Sequence, residues 1–227
     1  MSAHARARAA AALAALAAAA TVAAAPRAAA AEPPSDRRLV VVGLGLALPT
    51  YALGTVLHEG SHVVAAELVG GDTLTFRPWP GRDPLTGAFQ LGLTRVRGLR
   101  TDRARFWFFM APKVTDVVLL GGWLALHESS AYPSGAYGQL VLTVLATGLW
   151  VDFAKDTLAF SRHNDLVKSM SILGLRTEWQ RLPARLVMGA ASAGLGYLVW
   201  RGHRRLFALN DEPGAPPRVL PLGTWAF

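Results

Sequence analysis

Four long apolar segments constrain the fold of this chain more than any other feature. They cover residues 39–57 with an extension to 69, 106–126, 137–160 and 186–200. A helix needs about 20 apolar residues to cross the hydrocarbon core of a bilayer, and only the last segment is short by that measure. Because 52% of the residues are hydrophobic, more than a soluble domain usually carries, we predict an all-α integral membrane protein with about four transmembrane helices.

The two ends of the chain differ from this apolar region. Residues 1–32 join a basic start to an alanine-rich run with small residues near its end, a pattern typical of a signal peptide or an N-terminal anchor. Residues 39–200 form the predicted membrane-embedded domain. The proline-rich end of residues 201–227 predicts an irregular C-terminal tail.

A polar stretch separates the first two apolar segments. It contains "TLTFRPWP" and "GAFQLGLTRV", two alternating runs rich in aromatic and β-branched residues on either side of a turn with proline, glycine and aspartate. This pattern predicts a small β-hairpin at the membrane surface.

The positive charges indicate the orientation of the chain in the membrane. The net charge is +8, but the arginines lie between apolar blocks and not along one basic stripe, so we expect no nucleic-acid partner. The hairpin region and the loop after the third segment are rich in Lys and Arg, whereas the connection "HESSAYPSGAY" has neither. The positive-inside rule therefore predicts an exported N-terminus and two cytoplasmic basic loops, in what we expect to be a bacterial inner membrane.

The end of the first apolar segment carries the motif H-E-x-x-H in "TVLHEGSHVVAAELVGG". On an α-helix, His58 and His62 share one face and can bind one metal ion, while Glu59 lies beside them and can take a proton from the attacking water. Ionisable groups inside a transmembrane helix cost roughly 2.5 to 3.5 kcal/mol each unless a partner or a function accounts for them. Since the chain has no cysteine, histidine and carboxylate are its available strong metal ligands.

A catalytic zinc site generally has three protein ligands, so a third one is required. The metzincin extension is absent because residues 65 and 68 are alanine and leucine. Glu67 follows His62 too closely to be attractive, and Glu128 falls on the predicted far side of the membrane. The end of the third segment offers three better candidates on the predicted side of His58, which are Asp152, Asp156 and Asp165.

The order of these motifs resembles the site-2 protease family of intramembrane zinc metalloproteases over roughly residues 39–175. "HEGSHVVAAELVGG" is similar to the zinc-binding helix of that family, and "FRPWP…FQLGLTRV" to its surface sheet. "MAPKVTD" stands where the family has Ala-Gly-Pro followed by asparagine; Pro112 matches, whereas Lys113 and Asp116 depart. "DTLAFSRHNDL" stands in place of the motif that supplies the third ligand, without its prolines and glycine.

The resemblance implies a divergent, minimal zinc endopeptidase that cleaves a membrane protein or peptide. It implies His58, His62 and Asp165 as Zn²⁺ ligands and Glu59 as the general base, with Asp156 near the position of the motif's asparagine. One alternative is a non-catalytic integral membrane protein in which the same residues form a structural metal site or ion pairs. Another is a metallohydrolase that opens to the cytoplasm and acts on soluble substrates. Neither the substrate nor the oligomeric state can be read from the sequence.

Overall fold

The computed structural model describes residues 34–208. Within this range the chain forms five helices and four short strands. The helices are α1 (Asp36–Leu68), α2 (Asp102–His127), α3 (Ala136–Leu158), α4 (Asp165–Ile172) and α5 (Glu178–Ala208), and the strands are β1 (Asp72–Arg77), β2 (Gly81–Arg82), β3 (Phe89–Gln90) and β4 (Leu93–Arg97). The predicted signal or anchor segment, residues 1–32, and residues 209–227 lie outside the described residues.

Helices α1, α2, α3 and α5 are each long enough and apolar enough to cross a membrane. This confirms the predicted helical architecture with four candidate spans. Helix α1 is the least covered, because only 6% of its most apolar 18-residue window is buried inside the protein. Its outward side carries large apolar residues such as Val41, Leu44 and Leu48, as expected of a surface that faces lipid.

Helix α5 differs from the segment predicted at residues 186–200. It begins at Glu178 and continues past Trp200 to Ala208, so part of the predicted irregular tail is helical. Arginines in both end turns lower the local hydropathy, and Pro183 interrupts the apolar pattern near the start. The apolar run alone therefore marks only the middle of the helix.

Helix α3 is the centre of the packing. One apolar cluster joins α2, α3 and α5 through Leu120, Trp123, Ala146 and Val199. A second joins α1, α3 and α5 through Leu39, Leu140 and Leu206. These clusters fix α1 and α2 around α3, so that the ends of all three helices meet at the candidate site.

The four strands lie between α1 and α2 and form two small two-stranded sheets in a hairpin arrangement, which confirms the predicted β-hairpin. Antiparallel pairing joins β1 to β4, and farther along the hairpin β2 to β3. The hairpin folds back onto α1, since the Thr94 hydroxyl donates to the backbone carbonyl of Glu59 at 3.1 Å. It therefore covers the start of the H-E-x-x-H turn.

Candidate metal centre

The two histidines of the motif lie one turn apart in the last third of α1. Their ring centroids are 5.3 Å apart, and His62 is buried while His58 is half-buried. This is the arrangement that the i, i+4 spacing predicts.

Asp165, the first residue of α4, completes the group. Its Oδ2 lies 3.0 Å from Nε2 of His62 and 3.5 Å from Nε2 of His58. Two ligands that each stand about 2.1 Å from a tetrahedral ion are about 3.4 Å apart, so these separations suit zinc. One ligand atom from each of the three residues lies within 4.8 Å of the other two, so the group could hold a metal ion.

The start of α4 is well defined because Asn164 caps it. The side-chain carbonyl of Asn164 accepts from the backbone N–H groups of Leu166 and Val167, the usual role of asparagine at an N-cap. Burial raises the pKa of the Asp165 carboxyl, but hydrogen bonds to the two histidines outweigh it and hold that pKa well below the usual range. Lys168 adds an ion pair to Oδ1 at 2.9 Å. Asp165 is thus an ionised ligand candidate in a fixed position.

The second nitrogen of each imidazole is held by another acceptor. Nδ1 of His58 donates to Oδ2 of Asp152 at 3.0 Å, and Nδ1 of His62 donates to the backbone carbonyl of Phe108 at 2.7 Å. A neutral imidazole with hydrogen on Nδ1 has its lone pair on Nε2, and here that nitrogen lies on the side of Asp165, where an ion could stand between the two. Metal-binding histidines almost always have such an outer acceptor, and the donor set therefore fits zinc.

Asp152 and Asp156, the other two candidates for the third ligand, lie in a neighbouring ion cluster. Together with His58 they could form a second group for a metal. However, the ammonium of Lys113 already donates to Oδ2 of Asp152 at 2.8 Å and pairs with Oδ2 of Asp156 at 3.0 Å. It also bonds Asp116 at 2.8 Å. This second group thus already contains a cation, which makes Asp165 the better candidate for the third ligand.

Glu59, the predicted general base, lies under the hairpin. A Cβ atom added at Gly92 would stand 2.5 Å from Oε1 of Glu59, closer than real Cβ contacts allow. Only glycine leaves room there for the carboxylate in this position. The hairpin therefore contacts both the backbone and the side chain of the motif's glutamate.

Two contacts of this centre escaped the sequence analysis. The Phe108 carbonyl has no signature in its own residue type. For Lys113, the i, i+3 spacing predicts only the pair with Asp116, which the structure confirms at 2.8 Å, and not the contacts with Asp152 and Asp156. The available signal was the pair Pro112–Lys113 in the middle of an otherwise apolar helix.

Comparison of the chain with protein-family models, curated proteins and solved structures finds no match.

Proposed function

We propose that this chain is a zinc-dependent intramembrane endopeptidase of the site-2 protease type, acting in a bacterial inner membrane. The observation that carries the proposal is the convergence of Nε2 of both histidines on one oxygen of Asp165, with both Nδ1 atoms held by other acceptors. Without a metal, each histidine would need hydrogen on both nitrogens to satisfy these neighbours. An ion between the three residues meets the same contacts with neutral imidazoles.

In this proposal His58, His62 and Asp165 hold the zinc ion. When bound, zinc supplies a Lewis acid that polarises the scissile carbonyl and favours ionisation of the attacking water. Glu59 accepts the proton that the water loses as its oxygen bonds to the carbonyl carbon. The same carboxyl then gives that proton to the leaving amine as the C–N bond breaks.

A large apolar cavity supports a substrate that lies in the membrane. It has a volume of about 1130 Å³ and runs between α1, α2 and α3. Gly60 and Ser61, inside the H-E-x-x-H turn, line one part of it, although the two histidines do not. The cavity therefore borders the motif on a neighbouring face of α1, where an apolar transmembrane segment of a substrate would be accommodated.

The function is tested by removing and restoring the metal. The full chain in proteoliposomes is expected to cleave membrane-spanning reporter segments, to lose this activity with a zinc chelator, and to regain it with added Zn²⁺. Loss should be essentially complete because the ion polarises the reacting carbonyl. Cleavage that persists in metal-free protein would refute the proposal. Equal cleavage of water-soluble peptides would refute its intramembrane part.

Replacing Gly92 by alanine should impair cleavage without removing zinc. The new Cβ would displace the Glu59 carboxylate, and a shift of about 1 Å in a reacting group can cost about 100-fold in rate. We expect a fall of about 10- to 100-fold in turnover at unchanged zinc content, measured on the same protein samples. Gly45→Ala is the control, because nothing lies within 4 Å of its added Cβ. An unaffected Gly92→Ala enzyme would show that the hairpin does not position Glu59.

A further inference from the structure

Two adjacent residues of α2, Pro112 and Lys113, are each connected to the candidate ligands through a neighbouring group, and together they reach all three. Neither side chain can bind the metal itself, since that of proline has no donor atom and the lysine ammonium is a cation. We propose that this pair is a positioning device that fixes both imidazoles and Asp165 for metal binding. The inference rests on the metal site of the proposed function but does not depend on protease activity.

Pro112 acts on His62 through the backbone. A helical residue normally donates its N–H to the carbonyl four positions earlier, and proline has no N–H to donate. For Pro112 that carbonyl belongs to Phe108, whose oxygen accepts from Nδ1 of His62 at 2.7 Å. Proline thus leaves the Phe108 carbonyl available inside a continuous helix. The bond to His62 then fixes the tautomer and the direction of the imidazole.

Lys113 acts on His58 through Asp152. Its side chain is only 2% exposed, and its ammonium donates to the carboxylate and to the backbone carbonyl of Asp152, both at 2.8 Å. The carboxylate oxygen that it contacts is the one that accepts from Nδ1 of His58. One ammonium thus binds both the backbone carbonyl and the carboxylate of Asp152. This fixes the carboxylate where it accepts from Nδ1 of His58, so that Nε2 of His58 faces Asp165.

Lys113 also reaches the third ligand. It pairs with Oδ2 of Asp156 at 3.0 Å, and Oδ1 of the same carboxylate accepts from the side-chain amide of Asn164 at 2.8 Å. Asn164 caps α4, whose first residue is Asp165. The Lys113 ammonium is therefore linked to His58 through Asp152, and through Asp156 to Asn164, the residue before Asp165.

These contacts distinguish the pair from ordinary buried packing. A lysine that merely neutralised Asp116 would need only that one bond at 2.8 Å. Here the same ammonium also joins two aspartates of α3, each of which bonds a residue at the candidate centre. Removing an outer partner of a metal ligand typically costs about 10- to 100-fold in metal affinity, which sets the expected size of the effect.

The test is Co²⁺ and Zn²⁺ binding by the full chain in detergent, with the visible d–d absorption of bound Co²⁺ as the report of coordination geometry. Lys113→Met and Pro112→Ala are each expected to weaken binding by about 10- to 100-fold and to change the Co²⁺ spectrum. Alanine restores the N–H that competes with His62 for the Phe108 carbonyl, so the second variant needs no change of charge. It therefore keeps the test decisive if Lys113→Met does not fold.

Two matched controls separate positioning from stability. Pro49→Ala removes a proline from the interior of α1. Arg185→Met removes a buried cation that bonds the carbonyls of Thr157 and Ala159. Both should leave the affinity within about twofold and the Co²⁺ spectrum unchanged, against the 10- to 100-fold expected for an outer partner. If wild-type protein binds metal and the Pro112 and Lys113 variants bind it equally well, only the positioning role is refuted. If wild-type protein binds no metal, the metal site and the proposed function are refuted, and the positioning role with them.

Discussion

Replacing Glu59 by glutamine is expected to abolish peptide cleavage while zinc remains bound. Glutamine has nearly the same shape but cannot accept the proton of the attacking water. General acid–base catalysis typically contributes about 10²- to 10⁴-fold, and one carboxyl here acts as both base and acid, so we expect a loss of at least about 10³-fold. Turnover of a membrane-embedded reporter and zinc content would be measured on the same preparation.

Glu67→Gln is the matched control for that experiment. It makes the same chemical change on the same helix, at an exposed position two turns beyond Glu59. Full activity in Glu67→Gln and none in Glu59→Gln would assign the general base. If wild-type protein holds zinc but cleaves no reporter, and Glu59→Gln behaves identically, the site is structural and the non-catalytic alternative is favoured.

The local part of the candidate site follows from the sequence because it needs only a helix. His58, Glu59 and His62 occupy one turn of α1, and their spacing alone puts both imidazoles on one face. The four long helices follow for a similar reason, since apolar length is a property of each segment by itself. Neither inference required knowledge of how the helices pack.

The third ligand could not be derived in this way. Asp165 is 103 residues from His62 in the chain, and three aspartates near the end of α3 satisfy the same charge argument. Only the resemblance to a known family favoured Asp165 over the other two. The structure brings it to the histidines, and it places Asp152 and Asp156 around Lys113, a distinction that depends on the packing of α2 against α3.

The outer contacts of the site were the least accessible to sequence reasoning. A backbone carbonyl such as that of Phe108 is common to every residue, so its role is visible only from Pro112 four positions later. The buried lysine similarly has meaning only once Asp116, Asp152 and Asp156 are known to surround it. Lys113 and Asp116, the two residues of this helix that depart from the pattern of the resembling family, thus lie in the ion cluster beside the candidate metal centre.

These contacts also explain why so many charges can lie inside an apolar bundle. An unpaired buried charge is strongly unfavourable, whereas each carboxylate of this cluster has a partner in Lys113, a histidine or Asn164. Breaking a buried pair by removing one partner typically costs about 3 to 5 kcal/mol. The cluster is therefore expected to hold α2 and α3 in one register as well as to orient the ligands.

Asp165→Ala is expected to remove zinc from the purified protein, whereas Asp152→Ala should bind it more weakly but still measurably. The first variant deletes a proposed ligand and leaves two imidazoles, too few for a catalytic zinc site. The second deletes an outer partner, for which a loss of about 10- to 100-fold in affinity is typical. With zinc supplied at one equivalent, we expect Asp165→Ala to retain less than about a tenth of the wild-type metal, under conditions in which a variant weakened about 10- to 100-fold in affinity still binds zinc measurably.

The comparison with Asp156→Ala completes this assignment. Among the described residues, that carboxylate pairs with Lys113 and accepts from Asn164, and it has no hydrogen bond to either histidine. Its loss should therefore weaken zinc binding no more than the loss of Asp152. The reverse order, with zinc retained in Asp165→Ala and lost in Asp152→Ala or Asp156→Ala, would move the ion to the Lys113 side of His58. In that case the ammonium would have to leave the cluster, and the positioning role of Lys113 would be excluded together with the ligand role of Asp165.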